Sequence, residues 1–180
     1  MKGVVFNYLA EMVEEEFGLE AWDSILQTTG LAGDYISSQT YADEELMMLV
    51  DAAHKKTGID KKDLVRSFGR YILPNFREQN PHFFESQTNL ISFLLSVDRM
   101  IHIEVRKLHP DAALPAFEYA DESESELTMY YTSPRKLCHL AEGLIEASAE
   151  HFNTKYELQH TECMHDGAER CTLRIKIPDQ

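Results

Sequence analysis

The run of patterns along this chain predicts an α+β fold, with a helical N-terminal half packed on a C-terminal half built around a small antiparallel sheet. Apolar residues recur at helical spacing from Val4 to about Leu108. Beyond Pro110 the pattern changes to aromatic and alternating segments separated by turn residues, with one more helix among them. The 180 residues hold no internal repeat, low-complexity tract or long linker. One domain is therefore expected over 1–180, with a helical part at about 1–64 and a helix-plus-sheet part at about 65–180.

Each element has a local reason. Val4, Val5, Tyr8, Leu9, Met12 and Val13 share one face of a helix over about 3–17, and Gly18 offers a stop. Trp22, Ile25 and Leu26 carry a second helix that Gly30 ends. Thr40 is the expected cap of a third, through Leu46, Leu49, Val50 and Ala53 to Gly58. Asp60 caps a fourth through Leu64, Val65, Phe68 and Tyr71, which Pro74 is expected to end or kink. Thr88 opens the most apolar helix, Leu90 to about Leu108, stopped by Pro110. Segment 111–126 ends in the acidic run Asp121-Glu122-Ser123-Glu124-Ser125-Glu126 and reads as a solvated loop or hairpin tip. Leu127 to Tyr131 is extended, and Arg135 to Phe152 is helical with Leu137, Leu140, Ala141, Leu144 and Ile145 on one stripe. Tyr156 to Cys163 and Arg170 to Ile177 form two strands joined by a turn containing Asp166-Gly167.

Composition narrows the function. The 31 acidic and 17 basic residues leave a net charge of −14, which repels nucleic acid and anionic lipid and argues against a phosphate-backbone binder. No stretch approaches the roughly 20 apolar residues of a membrane span, and polar residues follow Met1-Lys2-Gly3 too early for a secretory signal. The expected location is the cytoplasm, where three reduced cysteines serve metal binding, reactivity or burial. Gly-rich phosphate loops, Ser/His/Asp spacing and HExxH are all missing, so no catalytic activity is expected.

Two features point to a ligand. In Tyr131-Thr132-Ser133-Pro134-Arg135 an extended backbone puts Tyr131, Ser133 and Arg135 on one face, and Pro134 biases Ser133 toward that backbone. Two hydroxyls and a guanidinium fork in a row suit a ligand with two carboxylates; the plainer reading is a strand end whose arginine meets an acidic neighbour. His102, in Met100-Ile101-His102-Ile103-Glu104-Val105, projects from the most apolar helix. A neutral imidazole there can ligate iron, as a proximal histidine holds haem; the plainer reading is a hydrogen-bonded core histidine.

Taken together, these residues resemble the H-NOX family, the haem nitric oxide/oxygen-binding domains related to the haem domain of soluble guanylate cyclase. The resemblance covers essentially the whole chain: Met1-Lys2-Gly3 before a hydrophobic helix, His102, Pro115, and Tyr-x-Ser-x-Arg at 131, 133 and 135. It implies a single haem domain of the bacterial stand-alone type, with haem b (iron protoporphyrin IX) buried between the two halves. His102 would be the axial iron ligand, Tyr131, Ser133 and Arg135 would hold the propionates, and Pro115 would press on the porphyrin and distort it. The implied function is nitric oxide sensing. Oxygen-binding relatives carry a tyrosine donor nine residues past the first tyrosine of the motif. Here that position is Leu140, on one stripe with Leu144, and the other gas-facing positions are Val5, Leu9 and Pro74, none with a side-chain donor. Tyr8 and Tyr71 are the nearby phenols that could reach inward. Nitric oxide binding opposite His102 would release that histidine, let the porphyrin flatten against Pro115 and shift the two halves. The implied partners are a histidine kinase or a cyclic-di-GMP enzyme.

A third constellation stands without the resemblance. Cys138, His160, Cys163 and Cys171 match a closed Cys₃His tetrahedral zinc site, with His139 and His165 as competing ligands and plain burial of the cysteines as the alternative. A subset of the bacterial members of the family carries such a zinc with similar spacing. The rival reading is a zinc-stabilised 4-vinyl reductase-like ligand-binding module without haem, or a thiol redox sensor. It shares the run Glu162 to Cys171 but lacks the Tyr-x-Ser-x-Arg row.

Overall fold

The computed structural model describes residues 1–178. Helix α1 (Gly3–Phe17), α2 (Leu19–Thr29) and α3 (Asp43–Thr57) pack with the start of α4 (Lys61–Gln79) around one apolar cluster. Phe6, Met12, Ile25, Leu49 and Phe68 are almost wholly removed from solvent there, as the helical spacing predicts. Asp60 does cap α4, its carboxylate accepting from Lys62 N–H at 2.9 Å. Thr40 does not cap α3: the cap is Ala42, and Thr40 instead bridges to Lys2 and donates to Asp111 Oδ2 at 2.7 Å.

Pro74 does not end α4, which runs on to Gln79. Proline deletes a single i→i−4 bond, and the packing of α4 along α8 (Cys138–His151) keeps the helix going. That packing is close. A Cβ on Gly69 would collide with the Leu140 carbonyl, and one on Gly143 with the Arg66 carbonyl. The backbones therefore meet with no side chain between them, and Arg66–Glu146 and Arg70–Glu150, both at 2.9 Å, flank the seam.

The second apolar cluster forms beyond Leu73, from α5 (His82–Glu85), α6 (Leu90–Ser96), α8 and the sheet. Helix α6 is capped by Asn89 rather than Thr88, in a reciprocal box with Ser92. The single helix expected from Leu90 to Leu108 is instead α6, a π turn over Val97–Ile101, and α7 (His102–Leu108). The sheet has strands β1 (Ala116–Ala120), β2 (Glu126–Thr132), β3 (Glu157–Glu162) and β4 (Cys171–Lys176), in the order β1-β2-β4-β3, all neighbours antiparallel. The expected β3–β4 pair is present, with an irregularity between His160 and Glu162.

Of the two readings of 111–126 the hairpin holds: β1 forms within the segment, and the acidic residues Asp121 to Ser125 make the tip between β1 and β2. Ala-Phe-Glu-Tyr-Ala alternates as an edge strand should, with Phe117 and Tyr119 turned inward and Glu118 exposed. Among the described residues no helix is long and apolar enough to cross a membrane.

Candidate functional site

His102 opens α7 and is 9% exposed. Its Nδ1 lies 3.2 Å from Asp98 Oδ1, one turn back, and among the described residues no hydrogen bond reaches Nε2. Burial pushes the imidazole below its ordinary range, and Asp98 offsets only part of that. At neutral pH the ring is therefore uncharged and keeps a lone pair to give. Its face stacks on Phe117 of β1 with 5.7 Å between ring centres, and Phe117 lies 5.6 Å from the ring of Tyr131, its cross-strand partner. Phe117 thus joins His102 to the carboxylate-binding row. Sequence reasoning missed it because β1 falls in the segment read as a solvated loop or hairpin tip.

The row itself is built differently from a strand face. Strand β2 stops at Thr132, so Arg135 arrives through a turn, not through alternation. Ser133 Oγ makes that turn by accepting from Arg135 N–H at 3.3 Å. Tyr131 and Ser133 are both buried. The Tyr131 hydroxyl accepts from Leu137 N–H at 3.0 Å and faces the Ser133 hydroxyl. The Arg135 guanidinium donates to the Ala113 carbonyl, and its Nε sits 2.7 Å from Asp43 Oδ2 without hydrogen-bond alignment, so Nε stays buried and unbonded. Asp43 also takes the Met1 ammonium at 2.8 Å. Arg135 therefore grips a carboxylate already, the kind of group a propionate presents. Two buried hydroxyls, a guanidinium and a neutral buried imidazole fit an iron porphyrin with two carboxylates. Pro115 lies half-buried just before β1.

The residues expected to face the gas separate. Leu9 is buried and borders an apolar cavity of about 10 Å³ with Met12, Ile25, Val50, Leu64 and Phe68. Val5 and Leu140 are half-buried against the helical cluster, and Leu144 against the sheet-side cluster. Pro74 is exposed: its neighbour Leu73 is buried, and the helical rotation of one residue turns Pro74 outward. It lines an open surface cleft beside Arg77, Phe84 and His151. Of the two candidate phenols, Tyr8 is buried in the helical cluster and Tyr71 is half-buried against it.

The cysteine cluster assembles from three elements. Cys138 starts α8, Cys171 starts β4, and His160 and Cys163 come from β3 and its end. The four ligand atoms lie within 4.8 Å of one another. The Cys138 and Cys163 sulfurs are 3.8 Å apart, in contact but unbonded. His160 Nδ1 meets Glu142 Oε1 at 2.6 Å, while His160 Nε2 is buried with no partner among the described residues. Such an orphan nitrogen is costly unless a ligand takes it. The competing histidines are spoken for at one nitrogen each: His139 Nδ1 on Glu142 at 3.0 Å, and His165 Nε2 on the Lys136 carbonyl at 2.7 Å. Burial would raise the Glu142 carboxyl, but the hydrogen bonds from His139 and His160 outweigh it and hold it down at about 2. Burial also raises the Cys138 and Cys171 thiols, the opposite of a reactive thiolate.

A buried histidine linked through an aromatic ring to two buried hydroxyls and a guanidinium offers the donor set that a metal-bearing dicarboxylate macrocycle would use. Comparison with known proteins supplies the rest. The model of the family described as Haem-NO-binding matches residues 2–160, and the chain belongs to that family of haem-based gas sensors. The H-NOX protein of S. oneidensis in its Fe(II)NO state is 30% identical, with a TM-score of 0.92 over 99% of this chain and 100% of that one. The unliganded Fe(II) H-NOX protein of K. algicida is 31% identical, with a TM-score of 0.93 over 100% of this chain and 98% of that one. Soluble guanylate cyclase gcy-31 of Caenorhabditis elegans is 26% identical over 171 residues, 92% of this chain and 24% of that relative. The chain thus spans about a quarter of the cyclase. The haem-free rival reading is not favoured by any of these likenesses.

Proposed function

We propose that this chain is a nitric oxide sensor of the cytoplasm, whose haem is held by His102 and by the Tyr131–Ser133–Arg135 row. The observation that carries the reading is the buried His102 joined through Phe117 to that row. When bound, the haem supplies a ferrous iron that takes a diatomic gas. The rest is done by the chain. His102 gives its Nε2 lone pair to the metal. Tyr131 and Ser133 donate to the carboxylates, and Arg135 neutralises their charge through a charge-assisted hydrogen bond. Pro115, just before β1, would bear on the ring. Val5, Leu9 and Leu140, which share the helical cluster, would supply a gas side without a hydrogen-bond donor, which favours nitric oxide and carbon monoxide over dioxygen.

The second metal is zinc, on Cys138, His160, Cys163 and Cys171, and its role is structural: it ties α8 to the β3–β4 pair. Support comes from the four clustered ligand atoms and the unpartnered His160 Nε2. The output passes to a separate histidine kinase or cyclic-di-GMP enzyme, and the net charge of −14 suits a basic docking face. The test is the visible spectrum of the purified ferrous protein, with its iron and zinc content. A haem band that is lost in His102→Ala and regained with free imidazole supports the reading. A colourless wild type, or an unchanged spectrum in His102→Ala, overturns it. A stable oxygen complex in air would remove the selectivity and leave a haem protein of another gas.

A further inference from the structure

The helix that carries His102 is irregular at the turn before it. Over Val97–Ile101 it widens to a π turn, and His102 N–H reaches back to the Val97 carbonyl instead of that of Asp98. The cause is a side chain from the sheet. Tyr119 of β1 donates its hydroxyl to the Leu94 carbonyl at 3.1 Å and faces the backbone N–H of Asp98. Leu94 C=O and Asp98 N–H are the pair that an unbroken α-helix would join, so the phenol stands between them as a wedge. Arg99 closes over the wedge, its guanidinium 5.6 Å from the Tyr119 ring centre and its tip on Glu122 at 2.7 Å. The widened turn presents Asp98, whose Oδ1 lies 3.2 Å from His102 Nδ1.

We propose that Asp98 is the positioning residue of His102, anchored by the Tyr119 wedge: it holds the proton on Nδ1 and the lone pair on Nε2, and sets how firmly that lone pair grips a metal. The inference rests on the haem reading of His102. A metal-bound imidazole that donates its other N–H to a carboxylate is oriented by it and becomes a stronger donor. Here the bond is long and the Asp98 carboxylate is about a third exposed, at 32%. The strengthening is therefore moderate, and the grip stays releasable. Neither Tyr119 nor Asp98 touches the metal; both act through His102.

The test is the iron–histidine stretching band of the ferrous haem protein by resonance Raman, a readout that folding alone does not move. The frequency should fall from wild type to Asp98→Asn and fall further in Asp98→Leu, while Asp98→Glu regains part of the shift. Tyr119→Phe, which removes the wedge and leaves Asp98, should shift the band in the same direction by less. Should Asp98→Leu fail to hold haem, Asp98→Asn and Tyr119→Phe carry the comparison. An unchanged frequency in Asp98→Asn and Tyr119→Phe at full haem content overturns the positioning role and leaves the haem reading standing. A wild type with haem but no iron–histidine band overturns the haem reading of His102, and this inference with it.

Discussion

His102 and His160 are built on one plan and to different tolerances. Each has a carboxylate on Nδ1 and a free Nε2 on the other side of the ring. Asp98 comes from the same helix as His102, stands 3.2 Å away and has no second histidine. Glu142 comes from α8 to a histidine on β3, closes to 2.6 Å, and is clasped by His139 as well. The first arrangement orients a ligand that can let go. The second locks a ligand between two elements, as a structural site needs. Both fit a metal; the difference lies in how much of the fold must move to release it.

The sharpest way to break this comparison is to remove each histidine in turn. His102→Ala should abolish haem retention and leave zinc content unchanged. His160→Ala should leave haem in place and lower the melting temperature by roughly 5–10 °C, on a scale where about 1 kcal/mol moves a domain of this size 2–4 °C. Metal analysis beside thermal unfolding checks both, and crossed effects would show that the sites are not separate. Next in size, Glu142→Gln should weaken zinc about 10-fold in competition with a chelator, the low end for losing a carboxylate behind a metal-bound histidine. An unchanged affinity would remove Glu142 from the proposed zinc site.

Much of the candidate site is legible in the chain because it depends on local spacing. The Tyr131–Ser133–Arg135 motif, His102 on an apolar helix and the cysteine set need only short-range pattern to be noticed. What escapes depends on partners distant in sequence. The π turn exists because Tyr119, 25 residues from Leu94, inserts its hydroxyl, and no window on Leu90 to Leu108 contains that information. Strand β1 is five residues long between Pro115 and an acidic run, too short for its alternation to outweigh the turn signals beside it. Pro74 misleads because breaking is a local rule, and the seam with α8 overrides it.

Smaller effects sharpen the contrast at the carboxylate-binding end. Burial tends to raise the Asp43 carboxyl, but the adjacent Arg135 guanidinium and the Met1 ammonium outweigh it and leave it below the usual carboxylate range. A group depressed in the folded state stabilises above its unfolded value and loses that contribution as pH falls through the folded one. The Asp43 link should therefore be intact above about pH 4 and fade below it. Asp43→Asn should erase this acid-side difference, by no more than about 1 kcal/mol for a partly exposed pair, in paired acid-unfolding curves. Smallest is Leu140→Tyr, which adds a phenol on the gas side. It should slow oxygen loss from the ferrous protein measurably without altering the His102 band.

The contact of Gly69 with Leu140 and of Gly143 with Arg66 has a mechanical consequence. Helix α4 serves one cluster through Phe68 and the other through Leu73, so it belongs to both halves of the molecule. Where it crosses α8, backbone lies on backbone at Gly69 and Gly143, and the ion pairs of Arg66 and Arg70 stand to either side. Sliding would drive carbonyls over one another, so the freedom left at the crossing is a tilt, held in check by the ion pairs on either side. The molecule thus carries its own axle, set between the two clusters.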